Sequence, residues 1–402
     1  MAKLLMITGL GSAVDLASSK KGAFYNTLEE FHKYWTRIDI ICPRINNINS
    51  GNSKLETLNP KQSQNYKSQT INLFGNVFVH ISPWPLILHP IFFIYKILKL
   101  HRTIKFDLMT VQEFPPFYNG IGSWIISVLT KIPYVLEIHH IPGYPKAANL
   151  KDGIYRNLMK WFIKFDASTA IAVRVVNKKQ TPEFLIKAGV PEKKVVYISS
   201  MYIDLDIFKP MGLPKEYDLI FVGRLESNKG IDLLLKAIHF TVYSLQFTVK
   251  CLVVGEGPLS ASLKFKVRSL KLENYVIFHG WAKSSQEIAE LINRSKILIM
   301  PSYNEGGPRV VIEAMACGVP VLATPVGIVP DLLNKNLFVG RQVASGGEII
   351  DWRPEDIAQK AQELLNLERC GKYSFNGLEI VKQFEKKKAI KNYADKLKEI
   401  LG

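Results

Sequence analysis

Residues 297–324 read ILIMPSYNEGGPRVVIEAMACGVPVLAT. The run from Ile297 to Met300 is apolar throughout, the pattern of a strand covered on both faces. Pro301 stops it, a loop carries Glu305-Gly306-Gly307, and Pro308 suits the first helical position, where its missing N–H would have been unpaired anyway. Gly318 closes a helix predicted over 309–317, and a second buried strand is predicted over 319–323. Strand, loop, helix, strand is the repeating unit of a parallel α/β sheet. A helix that starts at the carboxyl end of such a strand aims free N–H groups into the space above the sheet, where they hold phosphate or sugar hydroxyls.

The same rhythm extends outward in both directions. Strands are predicted at 219–222, 249–254 and 276–279, with helices at 230–240, 259–270 and 285–293. The first half predicts strands at 4–8, 38–42, 77–81, 108–111, 134–138, 170–173 and 195–198, with helical patterns such as 26–34 and 120–129 between them. Residues 46–70, crowded with Asn, Ser, Gln and Lys, read as an exposed loop. A Pro and Gly cluster at 208–215, FKPMGLPK, interrupts the pattern and marks the linker. The chain therefore divides into an α/β domain over 1–208, a doubly wound α/β domain over 209–380, and a tail over 381–402. In that tail Ala389, Ile390, Tyr393, Leu397 and Ile400 recur at helical spacing, which predicts an amphipathic helix packing back toward the first domain.

Composition narrows the classes. Cys42, Cys251, Cys317 and Cys370 stand far apart, which argues against a disulfide framework or a structural zinc site and for a reducing compartment such as the cytoplasm. Thr8, Gly9 and Gly11 interrupt the apolar start before a signal-peptide core forms, so it reads as a buried strand. Residues 84–100 are the most apolar stretch, but Pro85, His89, Pro90, Lys96 and Lys99 leave it short of the ~20 apolar residues of a bilayer span. The net charge is +17, and the first 210 residues hold 26 Lys and Arg against 14 Asp and Glu. Such a surplus concentrates anionic partners without choosing among them, and solvated basic helix faces account for it equally well.

Two loops carry the chemistry. Glu305 precedes the helix of the opening stretch and Glu313 lies about one turn inside it, so two acceptors for ligand hydroxyls flank one crevice. Arg309, in the first turn, opposes the helix dipole by roughly 0.3–1 kcal/mol unless an anion sits nearby. A bound phosphate removes that conflict; an arginine turned to solvent is the alternative. Upstream, Phe221-Val222-Gly223-Arg224-Leu225-Glu226-Ser227-Asn228-Lys229-Gly230 ends a strand at Gly223 and supplies Arg224 and Lys229, a fork and a point charge for a diphosphate. Gly255-Glu256-Gly257 and Gly280-Trp281-Ala282-Lys283 are two further strand exits. Gly9 and Gly11 close the first strand and Gly22 precedes the first long helix, a weaker glycine-rich element suited to acceptor or phosphate contacts.

These residues resemble the retaining glycosyltransferases of family 4, among the glycosyl transferases group 1. The likeness implies a GT-B fold, two Rossmann-like doubly wound parallel-sheet domains facing across a cleft. Glu305 and Glu313 match the family's paired-glutamate motif, implying that Glu305 touches the donor sugar and Glu313 the ribose. Arg224 and Lys229 match its diphosphate-binding pair, and Gly223, Gly306, Gly307, Pro308 and Arg309 complete the donor site, with Trp281 near the nucleobase. Residues 135–139, VLEIH, resemble the strand that ends in the family's histidine, which selects His139 over the adjacent His140; a core histidine satisfied by backbone is the alternative. Two departures stand out: Met201-Tyr202-Ile203-Asp204 replaces the usual Asn-Gly-Val-Asp, and Glu305-Gly306-Gly307-Pro308 replaces Glu-Gly-Phe-Gly.

The resemblance implies a metal-independent hexosyltransferase with retained configuration, no cofactor, a nucleotide-sugar donor, and a glycan or lipid-linked acceptor. Asp204-Leu205-Asp206 has the spacing of a metal-binding motif but falls where the linker begins, so it reads as linker chemistry. A helix over 91–100 either lies on the anionic inner face of the cell membrane, as a peripheral contact, or is a core helix of the first domain. The competing functions are another enzyme of the same architecture, an inverting transferase or nucleotide-sugar epimerase, and a noncatalytic nucleotide-sugar binder. Nucleic acid is not an expected partner, because the basic residues form no recognisable nucleic-acid motif.

Overall fold

The computed structural model describes residues 2–17, 22–44, 70–115, 117–333, 338–339, 342–343, 345–366 and 369–402. Two parallel sheets dominate it. The first is built from β1 (Lys3–Ile7), β2 (Arg37–Cys42), β3 (Thr70–Leu73), β4 (Val77–Ile81), β5 (Leu108–Gln112), β6 (Tyr134–Ile138), β7 (Ala172–Val175) and β8 (Val195–Tyr197), in the order β3-β4-β2-β1-β5-β6-β7-β8. Only β3 runs antiparallel, as an edge hairpin on β4. The second contains β9 (Tyr217–Val222), β10 (Cys251–Val254), β11 (Val276–Gly280), β12 (Ser295–Met300) and β13 (Val321–Ala323). A two-stranded hairpin, β14 (Phe338–Val339) and β15 (Gln342–Val343), then precedes β16 (Gly347–Ile349), which closes the second sheet in the order β11-β10-β9-β12-β13-β16.

Alternation along the strands explains the layering. In β1, Leu5 and Ile7 enter one core with Phe93, Ile126 and Ile163, while Leu4 and Met6 enter the opposite core with Leu28, Phe31 and Leu397. In β9, Leu219 and Phe221 face Leu234 and Ile357, while Ile220 faces Ile312 and Met315. Strands buried on both faces require helices on both sides, the Rossmann-like arrangement. In each sheet the strand order reverses direction beside the first strand of the lobe, between β1 and β5 and between β9 and β12.

Several boundaries differ from the sequence reading. Strand β7 begins at Ala172 rather than 170, because Ala170 and Ile171 precede the ladder and Ile171 N–H donates to Tyr134 O. Strand β10 begins at Cys251 rather than 249. Gly11 does not close β1 but lies inside a helix, Leu10–Ala17. Pro308 is the N-cap, with extended ψ of 102°, rather than the first helical residue, and the helix Arg309–Ala316 starts as expected and ends one residue early. Thr70, read as loop, opens β3; the rest of the 46–70 segment lies outside the described residues. Gly318, at φ +69°, turns the chain out of the helix as its sequence position suggests.

The chain crosses between lobes twice, and the two passages touch. Ile203 N–H donates to Phe384 O at 2.7 Å and Lys386 N–H to Ile203 O at 3.0 Å. Beyond that bridge the helix Lys386–Leu401, capped by the Glu385 carboxylate on the N–H groups of Lys387 and Lys388, returns to the amino-terminal lobe. There Ile390, Tyr393, Ala394 and Leu397 are buried against β1 and β2. The helix His89–Ile104 buries Phe92, Phe93 and Ile97 in the core and turns Ile91 and Tyr95 outward. Among the described residues no helix is long and apolar enough to cross a membrane.

Candidate active site

The site forms where β9 and β12 part. Beyond β9, Gly223 N–H is held by Val254 O, and the loop continues through Arg224 to a short 3-10 turn, Ser227–Lys229. Gly230 then takes φ +65°, with Pro301 O only 2.1 Å from where a Cβ would stand. Only glycine fits, and this tight passage holds Lys229 against the loop that follows β12. Lys229 Nζ and Glu305 Oε1 form an ion pair, and Ser302 Oγ donates to the same Glu305 oxygen at 3.1 Å. Ser302 is itself anchored, its carbonyl accepting from Thr324 Oγ1 at 2.6 Å and Trp352 Nε1 at 2.9 Å.

A cavity of about 210 Å³ opens above this pair, and Gly223, Lys229, Ser302, Glu305, Pro308 and Glu313 are among its walls. Burial pushes the Glu313 carboxyl up to about 7, and Arg309, one turn earlier, pulls it partly back. Arg309, half-buried, also lines this cavity, and its guanidinium lies 4.1 Å from the centroid of the Tyr202 ring. The planar face of Tyr202 offsets part of the dipole conflict at the helix start. Tyr202, in the segment Met201–Asp204, is thus tied to the start of the helix Arg309–Ala316. A second cavity of about 290 Å³ opens beside the first at the ends of β10 and β11, lined by Gly255, Glu256, Gly257 and Gly280 among others.

Not every predicted donor residue converges. Arg224 turns outward, 66% exposed, with Nη1 3.1 Å from Glu226 Oε1. Trp281 is half-exposed beyond β11 and is not among the walls of the first cavity. Gly9 N–H donates to Gln112 Oε1 at 3.2 Å at the carboxyl end of β1. Gly11 follows in the helix, and Gly22 is the N-cap of the helix Ala23–Phe31, packed against the Asp15 carboxylate, which would have to move to admit a side chain there.

The opposite wall comes from the end of β6. The backbone of Gly306 packs on His139: a Cβ there would sit 1.8 Å from the His139 carbonyl oxygen, and one on Gly307 would sit 2.7 Å from Met201 Sδ. The His139 ring lies with Nε2 3.5 Å from Glu137 Oε2. Glu137 is 1% exposed, its other oxygen accepting from Arg174 Nη1 and from Tyr393 Oη, each at 2.6 Å. Burial favours the neutral acid, but Arg174 foremost, with His139 and Tyr393, overcomes this and holds the carboxyl at about 2. Arg174 also stacks on the Tyr393 ring at 3.8 Å. His139 therefore stands at the head of a buried network whose far end belongs to the returning helix.

His140, adjacent to the expected His139, also reaches the loop that follows β12. Asn304 Nδ2 donates to Lys146 O and to Asp152 Oδ2, leaving Oδ1 to accept from His140 Nε2 at 3.1 Å. Burial lowers the His140 pKa, with Glu305 acting in the opposite direction. Gln180 bridges the lobes again, its amide donating to Pro325 O and its carbonyl accepting from Gly327 N–H at 2.7 Å. Asn304 and Gln180 carry no sequence signal, because neutral amides are common in loops; only the position of Asn304 beside Glu305 could have drawn attention. Asp204 Oδ1 accepts from Asp206 N–H, so this pair shapes the linker turn.

Residues 205–397 match the model of one family, glycosyl transferases group 1. The match covers the carboxy-terminal lobe and most of the returning helix. A putative teichuronic acid biosynthesis glycosyltransferase of Bacillus subtilis is 31% identical over 232 residues, 54% of this chain and 53% of that protein. The match thus spans about half the length of that relative. Among solved structures, a sucrose-phosphate synthase from Thermosynechococcus elongatus superposes with a TM-score of 0.75 at 17% identity, covering 100% of this chain and 99% of that one. The Anabaena protein HepE, solved with UDP, gives 0.68 at 18% identity, covering 99% and 100%. The likeness spans both lobes, and the chain has the GT-B fold. In the carboxy-terminal lobe the Lys229–Glu305 pair sits at the strand-order reversal, where open α/β sheets bind their ligands.

Proposed function

We propose that the chain is a retaining, metal-independent hexosyltransferase that moves a sugar from a nucleotide-sugar donor to a hydroxyl of a glycan or lipid-linked saccharide. The observation that carries this reading is the Lys229–Glu305 ion pair, braced by Ser302 and facing a cavity beneath the start of the helix Arg309–Ala316. A cation, a carboxylate and free helix N–H groups around one space suit a sugar diphosphate: the cation and amides take the phosphates, the carboxylate the sugar hydroxyls. UDP bound to the structurally similar HepE supports a nucleotide donor.

On this reading Lys229 and the N–H groups near Gly307 stabilise the charge that grows on the departing diphosphate. Arg224 joins them by releasing Glu226 and swinging inward. The leaving phosphate oxygen takes the acceptor proton, so attack proceeds on the face from which the diphosphate departs and configuration is retained. Glu313 accepts from the ribose, and His139, fixed through Glu137, faces the donor sugar from the other lobe. Gly9, Gly11 and Gly22 border the acceptor side, and Trp281 the base. No cofactor takes part, and the reaction runs at the cytoplasmic side of the membrane.

The test is transfer and donor hydrolysis across a panel of UDP, GDP, ADP and TDP sugars, with the anomeric configuration of the product read by NMR. Lys229→Ala and Glu305→Ala are each expected to lower kcat at least about a hundredfold, the usual loss for a group that meets developing charge. Wild-type rates in both variants overturn the reading, an inverted product overturns the mechanism, and activity abolished by chelator and restored by Mg²⁺ overturns metal independence.

A further inference from the structure

We propose that the outer face of the helix Leu150–Asp166 is a docking surface for an anionic lipid bilayer. A surface helix ordinarily turns polar residues to water and hides one apolar stripe. This one hides Met159 and Ile163 in the core and carries a second stripe on its outside. Leu150, Ile154, Leu158, Trp161 and Phe165 are 88, 60, 41, 85 and 42% exposed. Their spacing, four, four, three and four residues, keeps them on one line along the whole helix, about 25 Å. The neighbouring helix Tyr118–Thr130 widens the line: Trp124 packs against Phe165 with ring centroids 5.3 Å apart, and Val128 and Leu129 are exposed beside it. Contiguous apolar surface on this scale marks an interaction site.

Charge selects the occupant. Lys160 and Lys164, both exposed, flank the stripe on one side and Lys151 on the other. The two acids of the helix point away: Asp166 is buried, and Asp152 accepts from Ala148 N–H and Asn304 Nδ2. A tryptophan-bearing apolar stripe edged by lysines and free of outward carboxylates matches the acyl and headgroup layers of an anionic bilayer. A second copy of the chain would bring lysine to face lysine across the contact, which opposes self-association.

The placement connects to the site. Asn149 caps this helix, and its Nδ2 donates to Ser227 Oγ at 3.2 Å, two residues from Lys229; Asp152, one turn in, meets Asn304 beside Glu305. A helix lying on lipid therefore sets the mouth of the cleft at the membrane surface, where a lipid-linked acceptor presents its headgroup. That last step rests on the proposed transferase reading; the lipid contact does not.

Flotation of the full chain with phosphatidylcholine vesicles containing about one third phosphatidylglycerol, at about 0.05 and 0.5 M salt, tests it. The wild type is expected to float with these vesicles and to partition far less onto phosphatidylcholine alone. The double substitution Ile154→Ser with Trp161→Ser is expected to lower partitioning at least about tenfold, and Lys160→Glu with Lys164→Glu to abolish the preference for anionic lipid. All four positions are exposed, so melting curves are expected to match wild type; should the apolar pair misfold, the charge-reversal pair decides alone. Failure of the wild type to float, unchanged flotation of the variants, or a dimer in light scattering that the apolar pair dissolves would overturn the proposal. Donor hydrolysis without lipid is measured in parallel: if it is absent the transferase reading fails, and the flotation result stands by itself.

Discussion

Glu137→Gln isolates the network behind His139. Glu137 and Arg174 are 1% and 2% exposed and 2.6 Å apart, with Tyr393 Oη on the same carboxylate oxygen as Arg174. The folded-state pKa is depressed from the ordinary 4.5 to about 2, so the carboxylate contributes stability that is full above 4.5 and is lost as pH falls toward 2. At about 1.4 kcal/mol per unit, that contribution is roughly 3 kcal/mol at neutral pH. Removing one partner of a buried ion pair costs about 3–5 kcal/mol, and glutamine, which still accepts from Arg174 and Tyr393, belongs at the lower end. For a lobe of this size each kcal/mol moves the melting temperature about 2–4 °C, so the amino-terminal transition should fall by roughly 6–12 °C at pH 7. The assay is scanning calorimetry of wild type and variant between pH 7 and the acid limit of folding. The deficit is expected to narrow steadily once pH drops below 4.5. Replacing the pair together, Glu137→Leu with Arg174→Met, is expected to recover much of the loss. A Glu137→Gln transition within about 1 °C of wild type at pH 7, or a deficit that stays constant in acid, would refute the reasoning.

Further outcomes follow from the same geometry. Tyr393→Phe removes a hydrogen bond to a charged group and should cost about 1.5–3 kcal/mol, while lowering kcat more than it raises the donor KM if the returning helix positions His139; denaturant unfolding and steady-state kinetics check the two parts. Glu313, raised to about 7 by burial, favours the folded state below its ordinary 4.5, and that advantage is lost as pH rises through 7; Glu313→Gln should therefore be level with wild type at low pH and more stable at pH 8, read as the urea midpoint against pH. Gly306→Ala places a methyl 1.8 Å from the His139 carbonyl oxygen, so the lobes should fail to meet: kcat is expected to fall about a hundredfold with the melting temperature nearly unchanged, and small-angle scattering should show a larger radius.

What was legible in the sequence was the repetition of strand and helix and the chemistry that sits directly at strand ends. Ile297 to Met300 is apolar at every position because both faces are covered, and such a run announces itself. Lys229, Glu305 and Glu313 follow strands at short distances, so the fold brings them together once the strands are placed. The direction of a side chain was not legible. Arg224 and Lys229 look alike in the sequence, yet Arg224 finds Glu226 and Lys229 finds Glu305, a choice made by the left-handed turn at Gly230. Contacts between lobes were illegible for a different reason: Gln180, Asn304 and His140 acquire partners more than 140 residues away, and no local period encodes those. Tyr202 under Arg309 is intermediate, since the departure from the family pattern was visible and its stacking partner was not.

The closed cleft is held by contacts suited to opening. Gln180 to Pro325 and Gly327, Lys178 N–H to Asp331, Asn149 to Ser227, and Asn304 to His140, Lys146 and Asp152 are hydrogen bonds between lobes, each worth about 0.5–1.5 kcal/mol net. Water replaces most of them when the lobes part, so the free-energy gap between closed and open forms is small beside the burial that holds each lobe together. The two chain passages, by contrast, are tied to each other at Ile203 and Lys386, and the helix beyond them is sunk in the amino-terminal core through Leu397 and Tyr393. Any relative movement of the lobes would have to leave that paired crossing intact, with the helix held as part of the amino-terminal lobe. Tyr393 and Glu137 belong to the same packed unit, so the support behind His139 does not depend on the Gly306 contact, which crosses the cleft. On the proposed reading, a sugar diphosphate lying between Lys229 and His139 would contact both lobes at once and so favour the form in which they meet.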